Sequence, residues 1–144
     1  MKTNTIELYI HIPFCKSKCR YCDFCSFRAE EETIHAYLGK LKEELIFWGK
    51  KLAARDVVTV FIGGGTPSYL RREDIQMICE TIFEHFHICE DAEITIEANP
   101  GTVDLKKLCT YRENGINRIS FGLQSTVKEE LEYLGRIHTY EEFL

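Results

Sequence analysis

Four cysteines fall within eleven residues of one another, in the run Tyr9-Ile-His-Ile-Pro-Phe-Cys15-Lys-Ser-Lys-Cys19-Arg-Tyr-Cys22-Asp-Phe-Cys25-Ser-Phe. Thiols this close in sequence cannot be held apart by a sheet. They share one loop, and one metal site is the simplest reason to gather them. Structural zinc sites separate two short-spaced ligand pairs by roughly 12–20 residues, and no such gap exists here. An iron–sulfur cube suits closely spaced cysteines, because its irons lie together and each takes a thiolate. The ferredoxin run C-x2-C-x2-C-x3-C-P has a different order and a proline that is missing after Cys25. A cluster is the expectation and structural zinc the alternative.

Such a loop needs a scaffold, and the composition supplies one. The chain has 144 residues, 44% of them hydrophobic, and a formal net charge of −5. That fits one globular unit with a real core. No run approaches the roughly 18 apolar residues of a membrane span, and Met1 to Glu7 contains no apolar signal region. The expectation is a cytoplasmic protein without stable membrane insertion, in which seven cysteines read as metal ligands and core residues rather than disulfides. The acidic balance offers no footprint for nucleic acid. Lys16, Lys18 and Arg20 flank the thiols, where they either balance cluster charge or belong to a solvated loop.

The periodicity alternates strand and helix four times. A strand from Leu8 to Ile12 stops at Pro13, which cannot donate to a ladder. Glu30 to about Ala53 reads as a helix with a stripe of Ile34, Leu38, Leu41, Leu45, Trp48 and Leu52. Val57-Val58-Thr-Val60-Phe61-Ile62 is a nearly continuous apolar run, as in a parallel strand buried on both faces. A helix from about Arg71 to Phe86 is expected to bury Ile75, Ile78, Cys79, Ile82, Phe83 and Phe86, whereas Cys89 has no evident partner. Glu93 to Ala98 is a third strand. Asp104 is expected to cap a helix that packs Leu105 and Leu108, with Cys109 a core residue, and Asn114-Gly115 closes it. Ile116 to Leu123 is a fourth strand, Thr126 the cap of a short helix carrying Leu131 and Leu134, and Thr139 to Leu144 the start of another helical segment. The fold class expected is α/β, a partial parallel (β/α) barrel of about four βα units. A closed eight-unit barrel takes about 250 residues, so residues 1–144 are expected to be a truncated product or partial domain.

In such sheets function gathers at the C-terminal strand ends. Here those ends carry, in order, the cysteine loop, Gly63-Gly64-Gly65-Thr66, Glu97 and Gln124. A triple glycine is either a tight turn or a place where backbone groups approach a ligand. Glu97 is either a structural hydrogen-bond partner or a carboxylate that meets a ligand. Gln124 and Arg136 could add an amide and a carboxylate clamp.

C-x3-C-x2-C resembles the cluster loop of the radical S-adenosylmethionine (SAM) enzymes. Tyr9-Ile-His-Ile-Pro-Phe-Cys, Cys22-Asp-Phe, Phe61-Ile-Gly-Gly-Gly-Thr-Pro-Ser, Ile96-Glu-Ala-Asn-Pro, Ile119-Ser-Phe-Gly-Leu-Gln-Ser and Leu134-Gly-Arg-Ile-His resemble one branch of them. That branch holds the oxygen-independent coproporphyrinogen III oxidases and the HemW-type haem chaperones. The resemblance implies that Cys15, Cys19 and Cys22 bind three irons of a [4Fe–4S] cluster, leaving the fourth for SAM. It also implies that Tyr9, Tyr21, Gly64, Gly65, Thr66, Glu97, Gln124 and Arg136 contact SAM. In the family's chemistry one electron from the reduced cluster cleaves the S–C5′ bond of SAM, giving methionine and a 5′-deoxyadenosyl radical. The short segment before the first strand, Cys22-Asp-Phe and Leu-Gly-Arg-Ile-His all resemble the chaperone side. The resemblance then implies haem or porphyrinogen as ligand, a reductant for the cluster and a haem-acceptor protein as partners. It makes His11 and His138 candidate haem ligands, with a hydrogen-bonded structural role as the alternative. Two alternatives stay open: oxidative decarboxylation of coproporphyrinogen III, and a non-catalytic module using four thiols. Cys25 departs from both branches and is expected to be a free thiol near the cluster. The rest of the barrel and a C-terminal domain would lie beyond residue 144.

Overall fold

The computed structural model describes residues 4–144. Four strands, β1 (Thr5–Ile12), β2 (Asp56–Gly64), β3 (His87–Ala98) and β4 (Arg118–Phe121), form a parallel sheet in chain order. Three helices make the crossovers: α1 (Glu31–Lys51), α2 (Arg72–His85) and α3 (Leu105–Glu113). Two short helices, α4 (Lys128–Leu134) and α5 (Tyr140–Phe143), follow β4. The sheet is not closed: β1 and β4 each have one neighbour. This is the expected partial parallel barrel.

Strand alternation puts Ile10, Ile12, Val60, Ile62, Ile94 and Ile96 on the face that the helices cover, where all are buried. Leu38, Leu45, Ile75, Ile78, Ile82 and Tyr111 close over them. The opposite face carries Tyr9, His11, Phe61, Thr95 and Glu97. Val58 is skipped in both ladders that flank β2. This bulge re-aims the strand, so Val57 and Val60 share the buried face. The expectation of burial on both faces fails for β2, because Val58, Thr59 and Phe61 are only partly covered.

Several boundaries and side chains differ from expectation. β3 starts at His87 rather than Glu93, through a stretch whose register shifts before Glu93 and whose sequence does not alternate. Trp48 is 45% exposed, edge-on to Phe47 at 5.4 Å. The inward position of that turn belongs to Gly49, which abuts the end of α2 so closely that a Cβ would sit 2.6 Å from the His85 carbonyl oxygen. Leu105 opens α3 facing solvent, and Cys109 is also exposed. Phe83 is half exposed, its ring lying across Gly115. Asp104 caps α3 by accepting from the Lys107 amide at 2.7 Å. Thr126 does not cap α4: Val127 holds that position, and the Ser125 hydroxyl takes the Val127 amide. β4 is four residues long, shorter than Ile116 to Leu123. Cys79 is core as expected, and burial pushes its thiol up to about 12.

Candidate functional site

The cysteine loop is clamped at its neck. The Cys15 amide donates to the Phe27 carbonyl at 3.0 Å and the Phe27 amide to the Pro13 carbonyl at 2.9 Å. Phe14 is fully buried between the rings of Phe27 and Tyr37. Inside the loop, the Lys18 ammonium bonds the carbonyls of Phe24 and Ser26, each at 3.1 Å. Arg20 ties the loop to α4, its amide donating to the Leu134 carbonyl at 3.1 Å and its guanidinium to that of Tyr133. Lys18 and Arg20 therefore hold backbone, a role that charge counting missed.

A cavity of about 380 Å³ opens at the C-terminal edge of the sheet, within the range of small-molecule sites. Cys15, Cys19, Cys22, Tyr21, Gly64, Gly65, Thr66, Glu97, Gln124 and Arg136 all line it. Cys25 does not: it is exposed, outside the lining. Tyr9 also stands apart, 60% exposed, with its hydroxyl 2.9 Å from His11 Nδ1. The lining residues that sequence reasoning did not single out include Asn99, Ser120, Phe121 and Gly122. Their signal was present: Asn99 lies in Ile96-Glu-Ala-Asn-Pro, and Ser120, Phe121 and Gly122 lie in Ile119-Ser-Phe-Gly-Leu-Gln-Ser.

The glycine segment is a tight turn. Gly64 has φ +117, a value that suits glycine. The amides of Gly64, Gly65 and Thr66 are all spent on protein acceptors: Glu97 Oε2 at 2.9 Å, the Ile12 carbonyl at 2.8 Å and the Phe14 carbonyl at 2.8 Å. With these amides spent, the turn has carbonyl oxygens rather than N–H groups to offer. Glu97 thus has its structural role through one oxygen, at the cavity wall.

After β4 the chain turns through Gln124 at φ 71. Arg136 Nη2 donates to the Gly122 carbonyl, and His138 Nε2 lies 3.1 Å from the Leu123 carbonyl. The left-handed Gly135 that ends α4 brings Arg136 and His138, two residues apart, onto this same turn. His138 also faces Asn99 Oδ1 at 3.1 Å. Burial lowers the pKa of the His138 imidazole, offset in part by the Leu123 carbonyl. His11 is similarly occupied, between the Tyr9 hydroxyl and the Cys25 carbonyl at 3.2 Å. Both rings of the candidate haem ligands are engaged by protein.

Hydrogen donors reach two of the lining sulfurs. Thr66 Oγ1 donates to Cys15 Sγ at 3.3 Å, and Arg136 Nη1 lies 3.4 Å from Cys19 Sγ and from the Tyr21 hydroxyl. Burial raises the pKa of Tyr21 and Arg136 opposes it; Tyr9 is raised by burial and by Glu97. Two buried polar atoms of lining residues have no partner, Ser26 Oγ and Arg136 Nε. Gly65 completes a cradle, since a Cβ there would stand 3.1 Å from Cys15 Sγ. Among the described residues no three Cys, His, Asp or Glu side chains gather as one ion requires. A single tetrahedral zinc would need sulfurs within about 4 Å of each other. Three cysteines on the wall of one cavity fit a cluster that takes one thiolate per iron.

The sequence profile of the radical SAM superfamily matches residues 9–144. The heme chaperone HemW of Escherichia coli (strain K12) is 43% identical over 143 residues, 99% of this chain and 38% of that protein. HemW of Bacillus subtilis (strain 168) is 39% identical over 131 residues, 90% of this chain and 35% of that one. The solved coproporphyrinogen III oxidase HemN from Escherichia coli, described as a radical SAM enzyme, superposes with a TM-score of 0.91 at 32% identity. That likeness covers 98% of this chain and 33% of the oxidase. The chain thus spans little more than a third of its relatives' length. No described helix is long and apolar enough to cross a membrane.

Proposed function

The chain belongs to the radical SAM superfamily, and on that premise we propose that it forms the N-terminal part of the core domain of a HemW-like haem chaperone. Cys15, Cys19 and Cys22 hold a [4Fe–4S] cluster and leave one iron open to SAM, and the protein works in the cytoplasm. The observation that carries the reading is the shared cavity: three thiols, the glycine turn, Glu97, Gln124 and Arg136 line one space at the C-terminal edge of the sheet.

Each group has a task there. The carbonyls of Gly64 and Gly65 accept from the ammonium of the methionine part. Arg136 offers its unpartnered Nε to the carboxylate, and the Gln124 amide and Glu97 carboxylate remain for further polar groups, the ribose hydroxyls among them. Tyr21 flanks the ligand as an aromatic wall, and Tyr9 acts from outside the cavity, through its hydroxyl on His11. When bound, the cluster supplies one electron to the sulfonium of SAM; the protein orients that sulfonium and excludes water. Haem or a porphyrinogen is the second ligand, with an external reductant and a haem-acceptor protein as partners.

A second reading draws on the TM-score of 0.91 with the coproporphyrinogen III oxidase: SAM-dependent oxidative decarboxylation of coproporphyrinogen III. A chain extended to the relatives' length separates the two. Incubated anaerobically with SAM, reductant and coproporphyrinogen III, it is expected to give no decarboxylated product by mass spectrometry. Titrated with haem, it is expected to develop a protein-bound Soret band. Product without haem binding would replace the chaperone reading with the oxidase one.

A further inference from the structure

We propose that Thr66 and Arg136 set the reduction potential of the cluster, by donating hydrogen bonds to two of its three ligand sulfurs. The inference deepens the cluster reading above and rests on it. The donors reach the thiols from outside the cysteine loop. Thr66 comes from the end of β2 and lies 3.3 Å from Cys15 Sγ. Arg136 comes from the segment after α4 and lies 3.4 Å from Cys19 Sγ. Among the described residues, neither Cys22 nor Cys25 has such a sulfur-directed donor.

Neither donor is placed by the sulfur it serves. The Thr66 amide is fixed on the Phe14 carbonyl at 2.8 Å. Arg136 is held by Nη2 on the Gly122 carbonyl. The approach is close: a Cβ at position 122 would stand 3.1 Å from Gln124 Nε2 and 3.3 Å from Arg136 Nη2. With these anchors made, the rigid guanidinium fork delivers Nη1 to Cys19 and the Tyr21 hydroxyl. The two donors are therefore in place whatever the charge on the sulfurs.

Reduction adds one electron to the cluster and breaks no bond. The added charge spreads onto the ligand sulfurs, so a donor on a sulfur stabilises the reduced form more than the oxidised one. Arg136 adds a full positive charge in a partly buried setting, where the interaction is less screened than in water. Together the two residues make the cluster easier to reduce.

The test uses the chain extended to the relatives' length, reconstituted anaerobically with ferrous iron and sulfide and titrated with dithionite and mediators under EPR, without SAM or substrate. Thr66→Val keeps the side-chain shape and loses the donor. Arg136→Gln removes the charge, and Arg136→Lys keeps it without the fork. With iron content equal to the parent, each donor-loss variant is expected to lower the ratio of reduced to oxidised cluster at fixed potential by roughly threefold to tenfold. Arg136→Lys is expected to recover part of the loss. Unchanged ratios in Thr66→Val and Arg136→Gln at full iron content overturn this proposal and leave the cluster reading standing. A parent chain with no reducible iron–sulfur signal overturns both. If Arg136→Gln does not retain iron, Thr66→Val decides alone.

Discussion

Gly65→Ala tests how tightly the cysteine loop is built onto the sheet. An added Cβ would stand 2.8 Å from the Phe14 carbonyl oxygen, 3.1 Å from Cys15 Sγ and 3.1 Å from the Ile12 carbonyl oxygen. Two of those atoms are backbone and cannot swing aside. The end of β1 must therefore move, and with it the first thiol of the loop. Overpacking of this kind costs about 1–3 kcal/mol. The shift also strains the bonds from the Gly65 amide to Ile12 and from the Thr66 amide to Phe14, adding roughly 0.5–1.5 kcal/mol for each one broken. A loss of about 2–4 kcal/mol is expected, a large share of the roughly 5–15 kcal/mol that holds a domain together. Gly39→Ala is the control. It lies exposed within α1 with nothing within 4 Å of its would-be Cβ, so alanine should stabilise the helix by about 0.5–1 kcal/mol. Urea unfolding followed by circular dichroism reads both, and iron per chain after reconstitution reads the loop. A Gly65→Ala protein within about 0.5 kcal/mol of the parent, with its full iron content, would refute this account of the close approach.

Serine at Cys15, Cys19 or Cys22 should each cut reconstituted iron severalfold, whereas Cys25→Ser should leave it unchanged; equal losses at all four would argue for a four-thiolate site. Lys18→Met removes both bonds that brace the loop on Phe24 and Ser26 and should raise amide exchange across residues 22–27, with unchanged exchange counting against the brace. His138 gives a pH dependence. Its folded pKa lies below the ordinary 6.5, so the unfolded chain takes up the proton first on acidification. The stability it contributes is complete above about pH 6.5 and lost as pH falls through the lowered folded value. His138→Gln should flatten that slope of unfolding free energy between pH 7 and 5, and an identical slope in both proteins would discount it.

The order of elements was legible because the chain keeps strand and helix periods separate, and a parallel sheet follows from strands spaced by helices. What the periods could not show is where a second backbone comes close. Trp48 lies on the helical stripe yet gives way to Gly49, because the end of α2 needs the space. Val58 is one more apolar residue in its run, and only the paired ladders reveal it as a bulge. The cavity was legible as strand ends in phase, which is why ten of the residues named from sequence line it. The supports were not. Arg136 suggested a clamp for a ligand, but its grip on Gly122 and approach to Cys19 depend on how α4 returns the chain. The same holds for Lys18 and Arg20, whose partners are backbone carbonyls that leave no mark in the sequence.

The account turns on an iron left open to SAM. Low-temperature EPR of the reduced, reconstituted protein, extended to the relatives' length and carrying Cys25→Ser, tests this most directly. The expected result is a [4Fe–4S] signal that persists in the variant and shifts when SAM is added. A signal blind to SAM and lost without Cys25 would mean that four thiolates close the cluster, and would contradict the account.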